Sequence, residues 1–146
     1  MDKMQLAAKL NWFYSLEINQ VKMYMTQSRK TRNPHLKLAL KKFADIEKGH
    51  VENIRELIER MGHTPTVLGE TAAELTGKLA GTISGFASRD KTLRFNIAIE
   101  KKAIADYKKM LEQVVDPAVR EVLWSNLIDE ELHTAWMTRY VRQMRH

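Results

Sequence analysis

Residues 34–61, PHLKLALKKFADIEKGHVENIRELIERM, contain the pattern that decides the fold. Apolar side chains recur there at steps of four and three residues, which predicts one long amphipathic helix. Pro34 suits the first position of such a helix, and Gly62 supplies a stop after it. Two residues in the middle of the apolar series are not apolar, Glu47 and His50, and their spacing places them on one helix face.

The same pattern returns 83 residues later without a gap. The matched pairs are Leu10 with Leu93, Glu17 with Glu100, Tyr24 with Tyr107, Pro34 with Pro117, Glu47 with Glu130, and His50 with His133. A match that includes both prolines and every polar residue of the apolar faces is typical of an internal duplication. It predicts two related helical hairpins that pack about a pseudo-twofold axis.

Three- and four-residue apolar spacing continues through most of the chain, so an all-α protein is expected. The predicted helices span about 3–31, 34–61, 89–114 and 117–144, and Ser88 or Asp90 can cap the third. A crossover at 62–88 is expected to contain a short helix and to travel the length of the bundle. We therefore predict one domain, 1–146, with four helices arranged as two hairpins.

Each predicted core face is interrupted near its middle by a glutamate: Glu17, Glu47, Glu100 and Glu130. An unpaired carboxylate in an apolar interior costs several kcal/mol or takes up a proton. No Lys or Arg lies on these faces to neutralise the charge. Two divalent cations would neutralise four carboxylates beside two uncharged imidazoles.

The positions of the glutamates along the bundle agree with this interpretation. The midpoint of Glu17 and Glu47 is position 32, and the midpoint of Glu100 and Glu130 is position 115, so both midpoints fall at predicted turns. Each hairpin thus brings its two glutamates level, roughly 20 Å from the turn. One Glu from each of two helices and Glu-x-x-His from each of the other two is a di-metal pattern of helical bundles. The predicted metal ligands are Glu17, Glu47, His50, Glu100, Glu130 and His133; the alternative is a bundle whose buried glutamates hydrogen-bond to one another and to Tyr, Asn or Gln.

Other polar and aromatic residues receive weaker predictions. Glu131 lies about 100° from Glu130 around the helix and is expected to face solvent. Tyr24 and Tyr107 can hydrogen-bond to metal ligands or carry an electron, or they can pack in the core. Gly49 can mark a local bulge or a close helix approach. Residues expected to have only packing or surface roles are Trp12, Trp124, Trp136, His35, His63 and His146.

Composition narrows the function classes. The 146 residues include no cysteine, which excludes disulfides, thiolate metal sites and a rubredoxin-type iron centre within this chain, so any electron donor must be another molecule. No apolar run approaches the length of a membrane span, and a cytoplasmic protein is expected. The net charge of +6 arises largely from residues 29–42 and 139–146. Solvated helix faces are favoured there over nucleic-acid binding or peripheral membrane contact, because aromatics do not alternate with the basic residues.

Through these motifs the chain resembles the ferritin-like di-iron carboxylate superfamily over nearly its whole length. Within that superfamily it is most similar to rubrerythrin-like domains and to the demethoxyubiquinone hydroxylase family. The second resemblance rests on Glu17 with Tyr24, on Glu100 with Tyr107, and on residues 64–66 followed by a Gly-spaced crossover. The crossover here is more charged than the apolar one of that hydroxylase family.

The resemblance implies a ferritin-like four-helix bundle and an oxidoreductase, hydroxylase-like or rubrerythrin-like. Its two iron ions, or manganese ions, react with O2 or peroxide and are served by an external electron donor. In this hypothesis Glu47 and Glu130 bridge the ions, while Glu17 with His50 and Glu100 with His133 complete the two ends. A monomer or homodimer is expected.

Two alternatives to the oxidoreductase stay open. The first is a ferroxidase or iron-storage protein, which would form a large shell; a cage-forming ferritin would usually add a short fifth helix after residue 144. The second is a non-enzymatic bundle that binds lipid or nucleic acid through its basic faces.

Overall fold

The computed structural model describes residues 1–68 and 88–144, and no β-strand occurs among them. Four helices are present: α1 Lys3–Lys30, α2 Pro34–Arg60, α3 Arg89–Gln113 and α4 Pro117–Met144. Their ends differ from the predicted ones by at most one residue. The short helix predicted within the crossover, and His146, lie outside the described residues. None of the described helices is long and apolar enough to cross a membrane.

The chain forms two compact units, residues 1–83 and 84–146, and each contains one helical hairpin. In the first unit α1 packs against α2, and in the second α3 packs against α4. The turns between the paired helices, at 31–33 and 114–116, are only three residues long. The two helices of each pair therefore pack as antiparallel neighbours.

Side-chain caps fix the helix starts. Asp2 and Gln5 form a capping box at the start of α1, with Asp2 Oδ1 accepting from the Gln5 N–H at 2.8 Å. Asn33 Oδ1 accepts from the Leu36 N–H at 3.0 Å, and Pro34 occupies the first position of α2. These contacts fix the residue at which each helix begins. They therefore determine which residues of α1 and α2 lie at the same height along the hairpin.

The second hairpin is capped in the same way. Ser88, one of the two predicted caps, accepts from the Lys91 N–H at 3.2 Å. Asp116 Oδ1 accepts from the N–H groups of Ala118 at 2.9 Å and Val119 at 3.1 Å at the start of α4. Arg120 then closes the turn, since its Nη1 donates to the carbonyl oxygen of Val114 at 2.8 Å.

Two side chains of α1 hold the segment that follows α2. Asn11 Oδ1 accepts from the Thr66 N–H at 2.8 Å, and Ser15 Oγ accepts from the Leu68 N–H at 2.7 Å. Buried Ser15 thus has a polar partner far away in sequence. These two bonds attach the segment after α2 to α1.

Steps of four and three residues predict a core face of α3, and five of its seven residues are buried: Leu93, Glu100, Tyr107, Leu111 and Val114. The other two, Ile97 and Ile104, depart from the prediction. Asn96 and Ala103 are buried on α3, while Ile97 and Ile104 are only half-buried. Both choices satisfy a three- and four-residue spacing through Glu100, because adjacent residues differ by only about 100° around a helix. Side-chain hydrophobicity favoured the isoleucines, whereas packing selects the smaller Ala103 and the polar Asn96.

The end of α2 depends on Gly62, whose φ is 78°. The Gly62 N–H donates to the Glu59 carbonyl oxygen at 2.9 Å and the His63 N–H to that of Ile58 at 3.1 Å, which is a Schellman motif. Only glycine adopts this left-handed conformation without a steric cost.

Gly49 differs from Gly62, since it lies inside a continuous α2. Apart from its chain neighbours and the nearby backbone of α2, no described atom comes within 4 Å of where its Cβ would lie. The prediction of a bulge or a close helix approach at Gly49 is therefore wrong.

The two glycines are expected to respond to alanine with opposite signs. Gly62→Ala should lower the free energy of unfolding by about 1–2 kcal/mol through backbone strain. Gly49→Ala should raise it by up to about 1 kcal/mol, because alanine favours the helix and meets no obstacle. Urea unfolding of the metal-free protein measures both. A loss of stability in Gly49→Ala would show that the helix is closely approached there.

Candidate metal centre

In the first hairpin, α1 supplies Glu17 and α2 supplies Glu47 and His50. One ligand atom from each of the three lies within 4.8 Å of the others. Both carboxylates are 0% exposed and the imidazole is 2% exposed. The first hairpin therefore contains a buried cluster of two carboxylates and one imidazole that is shielded from bulk water.

The Nδ1 atom of His50 is the ring nitrogen that faces the carboxylates. It lies 3.0 Å from Glu47 Oε2 and 3.4 Å from Glu17 Oε2. In the tautomer that carries its proton on Nδ1, the imidazole donates to these oxygens. A cation coordinated by the same three atoms would take the place of that proton.

Gln20, one turn after Glu17 on α1, also lies within hydrogen-bond distance of this cluster. With its amide oriented so that the nitrogen faces the carboxylates, it donates to Glu17 Oε2 at 3.2 Å and to Glu47 Oε2 at 3.3 Å. The side chain is buried, at 1% exposure. Gln20 therefore holds the two carboxylates in position across the helix pair.

Replacing Gln20 with alanine is expected to weaken metal binding in this hairpin about 10- to 100-fold while the number of ions bound at saturation stays the same. The reason is that the carboxylates lose a shared donor but remain as ligands. Competition with a chelator of known affinity measures the effect.

Asn19→Ala is the matched control for Gln20→Ala. Asn19 is the neighbouring buried amide, and it donates to the Ser15 backbone carbonyl at 3.1 Å rather than to the cluster. This control should lower stability and leave metal affinity unchanged. Equal affinity losses in both variants would mean that Gln20 acts only through folding.

The second hairpin repeats the arrangement with Glu100 on α3 and Glu130 and His133 on α4. Their ligand atoms also lie within 4.8 Å of one another. The carboxylates are 0% exposed and the imidazole 2%. Nδ1 is again the nitrogen on the carboxylate side, 3.7 Å from Glu100 Oε1.

The two clusters differ in the residues that support them. At the position equivalent to Gln20 the second hairpin has Ala103. Asn126 Nδ2 donates to the Tyr107 hydroxyl at 3.3 Å, whereas the Tyr24 ring packs edge-on against Phe43 with centroids 5.5 Å apart. The paired tyrosines thus have different surroundings, and the two metal positions are not equivalent.

The chemistry of the donor set fits divalent metal ions. Each hairpin by itself brings together two carboxylates and one imidazole, a net charge of −2 when the imidazole is neutral, which one divalent ion balances. No Lys or Arg is buried among the described residues. The two hairpins together therefore offer ligands for two ions.

The six predicted ligands are all in these two clusters, and the residues predicted to lie at the surface are outside them: Glu131, His35 and His63 are exposed. The supporting roles of Gln20 and Asn126 were not predicted. Their signal in the sequence was present, since both are amides on otherwise apolar core faces.

The structure as a whole is similar to a solved ferritin-like protein, the bacterioferritin-related protein of Bacteroides fragilis, described as a dodecameric thioferritin. The likeness has a TM-score of 0.81 at 18% sequence identity and covers 99% of this chain and 89% of that one. The prediction of an all-α, ferritin-like four-helix bundle is confirmed. A comparison of the sequence with curated proteins found no match.

A family profile described as Rubrerythrin matches residues 10–140. This match includes α2 and α3 entirely, most of α1 and α4, and all six residues of the two clusters. It confirms the rubrerythrin-like resemblance and identifies the cofactor as a pair of iron ions. The chain belongs to the rubrerythrin family of ferritin-like di-iron proteins.

Proposed function

We propose that the protein is a di-iron oxidoreductase that reduces peroxide or O2 with electrons from a separate donor. The observation that carries the proposal is the pair of buried clusters, each with two glutamates and one histidine, in a chain of the rubrerythrin family. Surface acidic groups would bind metals weakly and reversibly. The described residues include no buried Lys or Arg, so the fully buried carboxylates would depend on cations for their charge balance.

The proposed ligands are Glu17, Glu47, His50, Glu100, Glu130 and His133. When bound, the two iron ions supply the electrons that reduce the oxidant. Glu47 and Glu130, each one turn before the histidine of its own helix, would hold an ion in their own hairpin, because a carboxylate offers two oxygens to a cation.

Other residues of the chain prepare the site for this chemistry. Burial of the ligands excludes bulk water, and Gln20 keeps Glu17 and Glu47 in place before metal arrives. In the second hairpin the buried Tyr107 hydroxyl accepts from Asn126, which fixes the position of that ring two turns after Glu100. Because the chain has no cysteine, electrons must come from another molecule.

A ferroxidase or iron-storage protein is the second candidate. The observation that favours it is the likeness to a protein described as a dodecameric thioferritin. A storage protein would assemble into a shell and take up many more iron ions than its ligands can hold. An oxidoreductase would keep its two ions and cycle them.

The test begins with protein loaded anaerobically with ferrous iron and mixed with peroxide or O2 in a stopped-flow spectrometer. The proposal predicts oxidation followed by re-reduction by an added donor, over many turnovers, with two ions retained per chain. Oxidation that stops after one turnover, with continued uptake of added ferrous ion by a large assembly, would favour storage. No reaction with either oxidant would contradict both and favour a non-enzymatic bundle.

A further inference from the structure

A groove opens between α3 and α4 of the second hairpin. Its apolar side chains are Ile97 and Ala98 of α3 and Val141 of α4. The groove has a volume of about 380 Å³, which is within the roughly 300–1,000 Å³ of small-molecule sites. It lies beside the second cluster, because Ile97 is one helical turn before Glu100 on α3.

Three cationic side chains surround these apolar residues. They are Arg94, Lys101 and Arg142, and all three are exposed. Asp90 offsets one of them, since its Oδ2 accepts from Arg94 Nε at 2.9 Å. In the described part of the chain, neither Lys101 nor Arg142 forms an ion pair. Three positive charges less one negative charge leave the groove with a net charge of +2.

The first hairpin has different residues at the equivalent positions, and its own chain covers them. Asn11 and Ser15 stand where the second hairpin has Arg94 and Ala98. Asn11 and Ser15 accept hydrogen bonds from backbone N–H groups of residues 66–68. Arg94 and Ala98 offer no such acceptors, so the groove of the second hairpin cannot hold a backbone segment in the same way.

The positive charges of the groove are also missing from the first hairpin. Ile18 and Glu59 stand in place of Lys101 and Arg142, and Glu59 pairs with Arg55 on the same helix at 3.4 Å. A hairpin of this fold therefore forms without Lys101 and Arg142. Their place around an open apolar groove points to a ligand.

We propose that this groove binds a soluble phosphate monoester with an apolar body. The inference goes beyond the oxidoreductase proposal and does not rest on it. A phosphate monoester carries about −1.5 to −2 charges near neutral pH, which balances both uncompensated cations, whereas one carboxylate balances only half of that charge. The phosphate oxygens accept from Lys101 and Arg142, while the apolar body covers Ile97 and Val141.

The dimensions of the groove favour a small ligand over a larger anion. The cations stand around a single groove of about 380 Å³, with apolar side chains between them. A nucleic acid backbone would contact the cations and leave the apolar side chains uncovered, because its phosphates carry its affinity. A small ester uses both parts of the groove.

The test is isothermal titration calorimetry of the iron-loaded full chain with 1-naphthyl phosphate, an aromatic phosphate monoester. The wild-type protein should bind one molecule per chain, with a dissociation constant on the order of 0.1 mM for a ligand of this size. Inorganic phosphate lacks the apolar body and 1-naphthol lacks the charge. Each should bind at least about tenfold more weakly than the ester.

Two substitutions test the cations. Arg142→Glu and Lys101→Ile should each weaken binding of 1-naphthyl phosphate at least about tenfold. Each introduces the residue that the first hairpin has at the equivalent position, so each is compatible with the hairpin fold. Both variants should retain the wild-type amount of iron, because neither residue is a member of the two clusters.

Arg139→Glu is the matched control. Arg139 is an exposed cation of α4 that does not line the groove, and the first hairpin has Glu56 at the equivalent position. The control makes the same change of charge as Arg142→Glu, and it should weaken binding by less than about threefold, because the charge lies farther from the phosphate.

Three results would overturn the proposal. The first is no binding of 1-naphthyl phosphate by the wild-type protein, and the second is equal losses in Arg142→Glu and Arg139→Glu. The third is binding of inorganic phosphate as tight as that of the ester, since the apolar side chains would then contribute nothing.

A lipid headgroup is separated from a soluble ester by sedimentation with vesicles of phosphatidylcholine that contain phosphatidic acid. The proposal predicts that the protein stays in the supernatant, because the apolar part of a membrane lipid stays in the bilayer. Sedimentation of the wild-type protein but not of Arg142→Glu would assign the groove to a lipid and contradict the proposal.

Discussion

Replacing Glu130 with alanine is expected to reduce tightly bound iron from two ions per chain to one or none, whereas replacing Glu131 with alanine leaves two. The two glutamates are adjacent on α4, but Glu130 is 0% exposed beside Glu100 and His133, and Glu131 is exposed. Loss of Glu130 removes two of the oxygen atoms available to the ions and leaves Glu100 with less positive charge nearby. Metal analysis after anaerobic loading and desalting gives the number of ions retained.

Because of the internal repeat, the same substitution can be made at the equivalent glutamate of the first hairpin. Glu47 is the counterpart of Glu130 in the first hairpin, and Glu47→Ala should cause the same loss. Retention of two ions in either variant, with the fold intact by circular dichroism, would remove that glutamate from the ligand set. Loss of iron in Glu131→Ala would show that the exposed residue had been wrongly set aside.

Iron is expected to stabilise the protein strongly. An ion present at 1,000 times its dissociation constant adds about 4 kcal/mol to the free energy of unfolding if the unfolded chain does not bind it. For a chain of this size, each kcal/mol raises the midpoint of thermal unfolding by about 2–4 °C, so one ion should add about 8 °C or more. Anaerobic differential scanning calorimetry with and without ferrous iron measures the shift.

The same residue should have opposite effects in the two states of the protein. Glu130→Gln removes a buried charge at nearly constant volume, so it should raise the stability of the metal-free protein by about 1–3 kcal/mol. In the iron-loaded protein the same change should lower stability, because a ligand is lost. A change that lowered the stability of both states equally would assign Glu130 a packing role alone.

The four helices and their ends could be predicted from the sequence, because the capping residues and the apolar spacing agree with the packing. Pro34 and Pro117, each after a capping side chain, fix the starts of α2 and α4. Apolar spacing then defines the helices between these starts and stops such as Gly62. The candidate metal ligands could be predicted for a different reason, since glutamates on apolar faces have few explanations other than a cation.

Other features depend on packing that periodicity cannot resolve. On α3, for example, Ala103 is buried and Ile104 only half-buried, although isoleucine is the more hydrophobic residue. Trp124 was expected to be a packing residue, but 48% of it is exposed on α4. Amphipathic spacing identifies a helix and its buried apolar face; it does not show which further apolar side chains of the same helix stay exposed.

The supporting residues were missed because their partners come from another helix. Gln20 and Asn126 are visible in the sequence only as amides on apolar faces, and their roles follow from the carboxylates and the tyrosine hydroxyl that they reach. The sequence does not distinguish an oxidoreductase that turns over from an iron-storage protein. That distinction depends on the electron donor and on assembly, and the same ligands serve both.

The central claim, that the two buried clusters hold two iron ions, is tested most directly by an anaerobic titration of the metal-free protein with ferrous ion. Equilibrium dialysis then gives the bound iron per chain. Saturation at two tightly bound ions is expected, with unequal affinities because Gln20 supports only the first cluster. Saturation at one ion, or no tight binding by the folded protein, would contradict the claim.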